Sequence, residues 1–275
     1  MKAVILVGGE ATRLLPLTCN TPKAMVPVLN VPFLEHVIRY LSEHQIKHIT
    51  LAHSPLTQPI ESYFGDGSQF VVRLSYAVED TPLGTAGAVK NAERYLDETF
   101  LALNGDIFTD LDITAMIASH LERKAKATIA LTPVDDPTSY GLIETNAQGR
   151  VTRFLEKPKW SQVTTNMINA GTYVLEPEVL AHIPPQANFS FERELFPLLL
   201  DQGEPIYGYP SSAYWIDMGT PEKYLQLHRD LLSGESSQYA PALSGEVVIG
   251  GQSYIHPTAQ IKGPIMIGDN CTIGR

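Results

Sequence analysis

Residues 3–7 (Ala-Val-Ile-Leu-Val) form an unbroken apolar run that stops at Gly8-Gly9. A run this short and continuous reads as a buried strand, and it is too short for the apolar core of a signal peptide. Apolar positions at Phe33, Leu34, Val37, Ile38 and Leu41 follow helical spacing, and Pro32 suits the first turn of a helix over residues 32–44. Strands are expected at 48–52, 69–78, 99–103 and 127–132, and helices at 83–95 and 113–123. This alternation predicts an α/β fold with a doubly wound, mainly parallel (Rossmann-like) sheet. Such sheets bind ligands at the carboxyl ends of their strands, near a topological switch point, and Gly8 and Asp106 both fall there.

The pattern then changes. Strand-like runs at 142–145, 150–155, 171–175 and 206–209 are joined by turn-rich segments, and are expected either to extend the sheet or to form a lid. Ser190 is placed to cap a helix over 191–200, although Glu192 follows too soon for a standard capping box. Thr220 and Pro221 read as the cap and first position of a helix reaching Leu232. In the tail, Ile249, Ile255, Ile261, Ile267 and Ile273 recur every six residues. That period is the signature of a left-handed parallel β-helix, with three hexads to a coil. The expected division is a catalytic domain over 1–235 and the start of a hexapeptide-repeat β-helix over 236–275. So short a coil either continues or packs on the first domain or another subunit, which favours a homo-oligomer.

Composition narrows the partners. The 275 residues carry a net charge of −10, with 44% hydrophobic and 18% charged residues, as in an ordinary globular enzyme. No basic stripe is present, so a nucleic-acid partner is not expected, and no apolar run is long enough to span a membrane. Cys19 and Cys271 offer neither a disulfide framework nor zinc spacing, which fits a cytoplasmic protein. The eight histidines show no metal-ligand spacing.

Candidate chemistry begins at Leu6-Val7-Gly8-Gly9-Glu10-Ala11-Thr12-Arg13-Leu14, followed by Pro16-Leu17-Thr18 and Pro22-Lys23. A strand ending in Gly-Gly lets backbone N–H groups approach a phosphate. Arg13 and Lys23 add fixed positive charge, Arg with its two-pronged fork and Lys as a point charge. The run is neither a Walker loop nor a Gly-x-Gly-x-x-Gly fingerprint.

The whole segment resembles the signature of the sugar-nucleotide pyrophosphorylases, and further motifs of that family follow in order. Pro82-Leu83-Gly84-Thr85-Ala86-Gly87 looks like its base-binding segment, and Leu103-Asn104-Gly105-Asp106 like its metal-binding aspartate. Phe154-Leu155-Glu156-Lys157-Pro158 and Asn169-Ala170-Gly171 resemble its sugar-phosphate segments. Trp215-Ile216-Asp217-Met218-Gly219-Thr220-Pro221 resembles the second metal aspartate. Within the family, the pattern is most similar to that of the mannose-1-phosphate guanylyltransferases, and Ala11 replaces the family's third glycine. The resemblance implies transfer of a nucleotidyl group from an NTP to a sugar 1-phosphate, with Mg²⁺ held by Asp106 and Asp217. It implies catalytic roles for Arg13, Lys23 and Asp106, and nucleotide binding by Val7, Gly8, Gly9, Arg13, Lys23, Glu79, Pro82, Gly84 and Thr85. The sugar phosphate would meet Gly141, Glu156, Lys157, Asn169 and Gly171.

Glu79 bears on the base. A carboxylate only accepts hydrogen bonds, and guanine presents a two-donor edge of N1–H and N2–H₂, so Glu79 favours GTP; the bland alternative is an exposed charge beside Asp80. Other readings stay open: a glucose or heptose 1-phosphate with UTP or dTTP, a non-catalytic regulatory paralogue that binds an NDP-sugar, or an acyltransferase built on the hexads, for which one coil is too short.

Overall fold

The computed structural model describes residues 1–9, 11–54, 58–236 and 247–275. The chain runs β1 (Lys2–Leu6), a small hairpin of β2 (Pro27–Val28) and β3 (Val31–Pro32), α1 (Phe33–Glu43), β4 (His48–His53), α2 (Gln58–Phe64), β5 (Arg73–Val78) and α3 (Gly84–Asn91). Next come β6 (Phe100–Asn104), β7 (Ile107–Thr109), α4 (Ile113–Arg123), β8 (Ala127–Pro133), β9 (Gly141–Thr145), β10 (Val151–Glu156) and β11 (Met167–Leu175). The last part of this body holds α5 (Phe196–Asp201), β12 (Ile206–Pro210), β13 (Trp215–Asp217) and α6 (Pro221–Ser233).

Among the described residues, nine strands form the central sheet, in the order β10-β9-β11-β6-β1-β4-β5, with β8 on β11 and β12 on β8. The stretch β6-β1-β4-β5 is parallel, as the βαβ rhythm predicts. Ala3 and Ile5 of β1 pack into one apolar core and Val4 into the other, so both faces of the sheet are covered. That double burial is why β1 is apolar at every central position and not alternating.

The turn-rich middle does not make a separate lid. β11 runs antiparallel to β6, β8 and β9, and β10 runs antiparallel to β9, so these strands extend the main sheet. β11 carries a register break between Asn169 and Tyr173, centred on Gly171 at φ 71°. Two boundaries differ from expectation. Residues 68–70 form a 3₁₀ turn bracketed by left-handed Gly67 and Val71, so β5 starts only at Arg73. The helix expected over 83–95 ends at Asn91 and gives way to a 3₁₀ turn at Glu93–Tyr95. The helix after Ser190 opens with a π-turn, Phe191–Leu195, before α5. That extra residue explains the displaced capping box: Glu194, not the residue before it, accepts the hydrogen bond from Ser190 N at 2.7 Å.

In the tail, β14 (Val247–Ile249) pairs in parallel with β16 (Ile265–Ile267), and β15 (Tyr254–Ile255) with β17 (Thr272–Ile273). Ile249 lies beside Ile267 and Ile255 beside Ile273, each pair separated by three hexads. Most of the segment joining the tail to α6, residues 237–246, lies outside the described residues.

α6 begins as its sequence predicts: Thr220 Oγ1 accepts from Lys223 N at 3.4 Å, and Pro221 opens the helix. Thr220→Ala should therefore lower unfolding stability by about 1 kcal/mol. Urea denaturation should show this as a lower midpoint at unchanged slope.

Candidate active site

The carboxyl ends of β1 and β6 meet through backbone. Gly105 N donates to Leu6 O at 2.8 Å, and a Cβ built on Gly105 would lie 2.5 Å from that same oxygen. Only glycine allows this approach, and it sets Asp106 beside the turn that follows β1. The second aspartate arrives by a different route. β13 pairs antiparallel with β7, placing Asp217 opposite Ile107, and Met218 N donates to Asp106 O at 2.9 Å. Two carboxylates more than a hundred residues apart in the chain thus share one edge of the fold.

Lys23 lies between them. Its Nζ is 2.7 Å from Asp106 Oδ2 and 3.9 Å from Asp217 Oδ1. The longer contact is within ion-pair reach but beyond hydrogen-bond range, and Asp217 Oδ1 is buried without a hydrogen-bond donor. Burial, reinforced by the charge of Asp106, raises the Asp217 pKa above the ordinary carboxylate range. Lys23, Lys223 and Arg13 oppose that rise. Arg13 is exposed on a 3₁₀ turn, Thr12–Leu14, whose Leu14 is fully buried and anchors it. A Cβ on Gly219 would meet Asp217 Oδ1 at 2.9 Å and Arg13 Nη2 at 3.3 Å, so the guanidinium and the carboxylate flank one point. Arg13, Lys23, Asp106 and Asp217 are all brought together.

The turn after β1 is held by Val7 N donating to Ala52 O at 2.9 Å. Gly9 has φ 136°, and among the described residues no atom beyond its chain neighbours lies within 4 Å of a Cβ built there. Ala11 sits at φ 46°, ψ 36°, in the left-handed region. Its carbonyl accepts from Leu14 N at 3.0 Å and from Thr18 Oγ1 at 2.9 Å, which pins it there. The position is one where glycine would be unstrained.

Among the residues expected to bind the nucleotide, Glu79 is buried and not an exposed neighbour of Asp80. Its Oε2 accepts from Leu83 N at 3.2 Å, while its Oε1 lies 3.4 Å from a Cβ built on Gly8. Burial raises its pKa, while the Leu83 N–H and His53 oppose the rise. Pro82 is exposed. Gly84 has φ 70°, and a Cβ there would strike Phe189 O at 2.8 Å. The Thr85 hydroxyl is committed internally. It donates to Glu192 Oε2 at 3.0 Å and accepts from Phe191 N at 2.9 Å.

Among the residues expected to meet the sugar phosphate, Gly141 pairs with Glu156 across β9 and β10. A Cβ on Gly141 would lie 2.8 Å from Phe154 Cζ and 3.0 Å from Glu156 Oε2. Lys157 is exposed, in left-handed backbone at φ 48°, with its N–H bonded to Tyr140 O at 2.9 Å. Burial raises the Glu156 pKa, the nearby Glu192 raises it further, and Lys157 and Arg193 lower it. Asn169 is turned inward: its Nδ2 donates to Tyr173 Oη at 2.8 Å, and its Oδ1 accepts from Gly171 N at 3.0 Å. Asn169 and Gly171 therefore build the β11 bulge.

Lys223 was not among the expected residues. It projects from the first turn of α6, hydrogen-bonds the Tyr140 hydroxyl, and acts electrostatically on Asp217. Its signal in the sequence is a cation at a helix N-terminus, where the helix dipole disfavours one. Tyr140 packs edge-on to Trp215, with ring centroids 5.6 Å apart, and Trp215 Nε1 donates to Ala170 O at 2.9 Å. Lys223, Tyr140 and Trp215 line a cleft of ≈ 650 Å³ together with Thr132, Asp135 and Gln226.

The sequence profile described as "Nucleotidyl transferase" matches residues 2–234. The chain belongs to this family. It is similar to a mannose-1-phosphate guanylyltransferase of Mycobacterium tuberculosis, with 38% identity covering 99% of this chain and 76% of that protein. A UTP–glucose-1-phosphate uridylyltransferase of Synechocystis is 34% identical, covering 99% of this chain and 80% of its own. Among solved structures, HddC from Yersinia pseudotuberculosis in complex with GMP-PN superposes with a TM-score of 0.72 at 31% identity. That alignment covers 83% of this chain and 98% of HddC. Among the described residues of this nucleotidyl transferase, no helix is long and apolar enough to cross a membrane.

Left-handed backbone costs a non-glycine residue roughly 1–2 kcal/mol, and glycine's greater freedom in the unfolded chain offsets roughly 0.4–1 of that. Ala11→Gly should therefore stabilise the protein by roughly 0.5–1 kcal/mol, measured as a higher thermal midpoint.

Proposed function

We propose that this nucleotidyl transferase joins GTP to mannose 1-phosphate, releasing pyrophosphate and forming the GDP-sugar. The observation that carries the reading is the convergence of Arg13, Lys23, Asp106 and Asp217 at the carboxyl edge of β1 and β6. A phosphate oxygen of the sugar 1-phosphate attacks the α-phosphorus in line. The new P–O bond forms as the α–β bridging bond breaks, and the electron pair leaves with pyrophosphate. The second pKa of a phosphate monoester is about 6, so the nucleophile is largely ionised at neutral pH and needs no general base. Catalysis then rests on positioning and on neutralising charge at the phosphorus and leaving group. Arg13 stabilises the transition state and the departing pyrophosphate, Lys23 binds the triphosphate, and Lys157 holds the sugar phosphate.

The residues present fit a divalent cation. Two carboxylates converge, one buried oxygen of Asp217 has no donor, and the Lys23 ammonium lies where a cation is attracted. Two carboxylates alone are too few for a closed site, and Mg²⁺ commonly completes such a set with phosphate oxygens and water. When bound by Asp106 and Asp217, Mg²⁺ would neutralise charge on the phosphates.

Guanine preference is supported by the buried Glu79 beside Gly8, by the guanylyltransferase relative and by the guanine nucleotide analogue in HddC. The uridylyltransferase relative makes UTP with glucose 1-phosphate the pair to compete against. The same reading divides the chain into a catalytic domain, 1–235, and the first coil of a left-handed β-helix, 236–275. The tail pairings offset by three hexads support that coil, and its exposed Val247, Ile249 and Tyr254 suit self-association. The cysteines Cys19 and Cys271 are free, as suits a cytoplasmic enzyme.

Pyrophosphate release measured over a grid of NTPs and sugar 1-phosphates should be fastest with GTP and mannose 1-phosphate. A clear lead for UTP with glucose 1-phosphate would reassign the substrates without changing the reaction. Arg13→Ala should lower turnover by roughly 100- to 1,000-fold at an unaltered thermal midpoint. Near-normal turnover would remove Arg13 from the mechanism.

A further inference from the structure

Glu192 was assigned no role by the motifs, yet its carboxylate joins the two halves of the site. It accepts three hydrogen bonds: Thr85 Oγ1 at 3.0 Å, Ser190 Oγ at 2.6 Å and Tyr173 Oη at 3.1 Å. On one side the chain of bonds continues through Thr85, which accepts from Phe191 N at 2.9 Å and stands one residue into α3, beside left-handed Gly84. On the other side it continues through Tyr173 to Asn169 Nδ2 at 2.8 Å, and from Asn169 Oδ1 to Gly171 N at 3.0 Å. The nucleotide-side helix start and the sugar-side bulge are thereby tied to one carboxylate.

The surroundings leave this carboxylate little freedom. Tyr173 is fully buried, and its ring packs on Phe191 and Phe196 with centroids 5.1 and 5.3 Å away. The π-turn at Phe191–Leu195 sets Glu192 at its first turn, and Ser190 Oγ accepts from both Glu192 N and Arg193 N. The second carboxylate nearby, Glu156, feels Glu192 as a like charge, so Glu192 also bounds the sugar segment electrostatically. A carboxylate can accept all three donors at once. An amide at the same place offers a single acceptor oxygen and points an NH₂ at hydroxyls that are already donating.

We propose that Glu192 is a positioning residue that couples the two substrate subsites, holding the bulge at Asn169–Gly171 in fixed relation to the helix start at Gly84–Thr85. The proposal rests on the two-substrate reading given above for its kinetic consequence, but not for its structural one. A residue that only stabilised the fold would lower the thermal midpoint without crossing effects between subsites. A coupling residue makes each subsite sensitive to changes on the far side.

The test uses three conservative variants of the full chain: Glu192→Gln, Thr85→Val and Tyr173→Phe. Glu192→Gln should raise KM for both the NTP and the sugar 1-phosphate by roughly 2- to 30-fold. Thr85→Val, altered on the nucleotide side, should raise KM for the sugar 1-phosphate. Tyr173→Phe, altered on the sugar side, should raise KM for the NTP. The effects of Thr85→Val and Tyr173→Phe should be non-additive in the native background and additive once Glu192 is Gln. A second readout needs no turnover: amide hydrogen exchange at Gly171 should speed up in Thr85→Val, and at Ala86, whose N–H donates to Phe189 O at 2.9 Å beside Thr85, in Tyr173→Phe. Should the native protein show no pyrophosphate release with any pair, the functional reading fails while the exchange measurement still decides this proposal. Exchange that changes only on the mutated side, or KM effects confined to the nearer substrate, would overturn it.

Discussion

Two acidic side chains from distant parts of the chain must be held near one another against their mutual repulsion. Everything at the candidate active site follows from that constraint. The pairing of β7 with β13 and the bond from Met218 N to Asp106 O fix the backbones, and Lys23 Nζ supplies the intervening charge. Like charges converging on a buried site are unfavourable unless a cation lies between them. The raised pKa of Asp217 comes first from its burial and then from the repulsion of Asp106 that remains. The site is thus organised around charge, with the Lys23 ammonium within ion-pair reach of both acids.

The rest of the fold can be seen as the means of delivering groups to this point. Parallel strands buried on both faces place their carboxyl ends along one edge, and glycine at 105 lets two of those ends touch. The antiparallel additions, β9 to β11, join Gly141, Glu156 and Asn169 to the same sheet, beyond the reach of a simple βαβ repeat. α6 is capped immediately after the second aspartate, so the helix and the carboxylate are set by the same turn.

Much of this was legible in the residues themselves. Continuous apolar runs marked β1 and β6, and Thr220-Pro221 marked the start of α6, because each rests on local physics: double burial, capping and fixed φ. Arg13, Lys23, Asp106 and Asp217 stood out by residue type and motif order. The strands β9 to β11 were legible, but the choice between extending the sheet and forming a lid was not, since strand pairing is a long-range choice that turn-rich sequence leaves undecided. Neither was the inward commitment of Thr85 and Asn169. Their partners Glu192 and Tyr173 lie elsewhere in the chain, and a hydroxyl in a motif looks alike whether it faces ligand or protein. The left-handed backbone at Ala11 is pinned by the carbonyl contacts of the folded loop, and the sequence hints at it only through the glycine that the family resemblance places there.

Lys223 carries a cost that its neighbours do not. It stands in the first turn of α6, at the positive end of the helix dipole, where a cation is worth a few tenths of a kcal/mol less than an anion such as the adjacent Glu222. Its ammonium instead serves Tyr140 and the field around Asp217. Selection for thermal stability alone would therefore replace Lys223 with an acid, adding a third negative charge beside the aspartate pair. A cation set against the helix dipole marks where robustness and chemistry ask opposite things of one position.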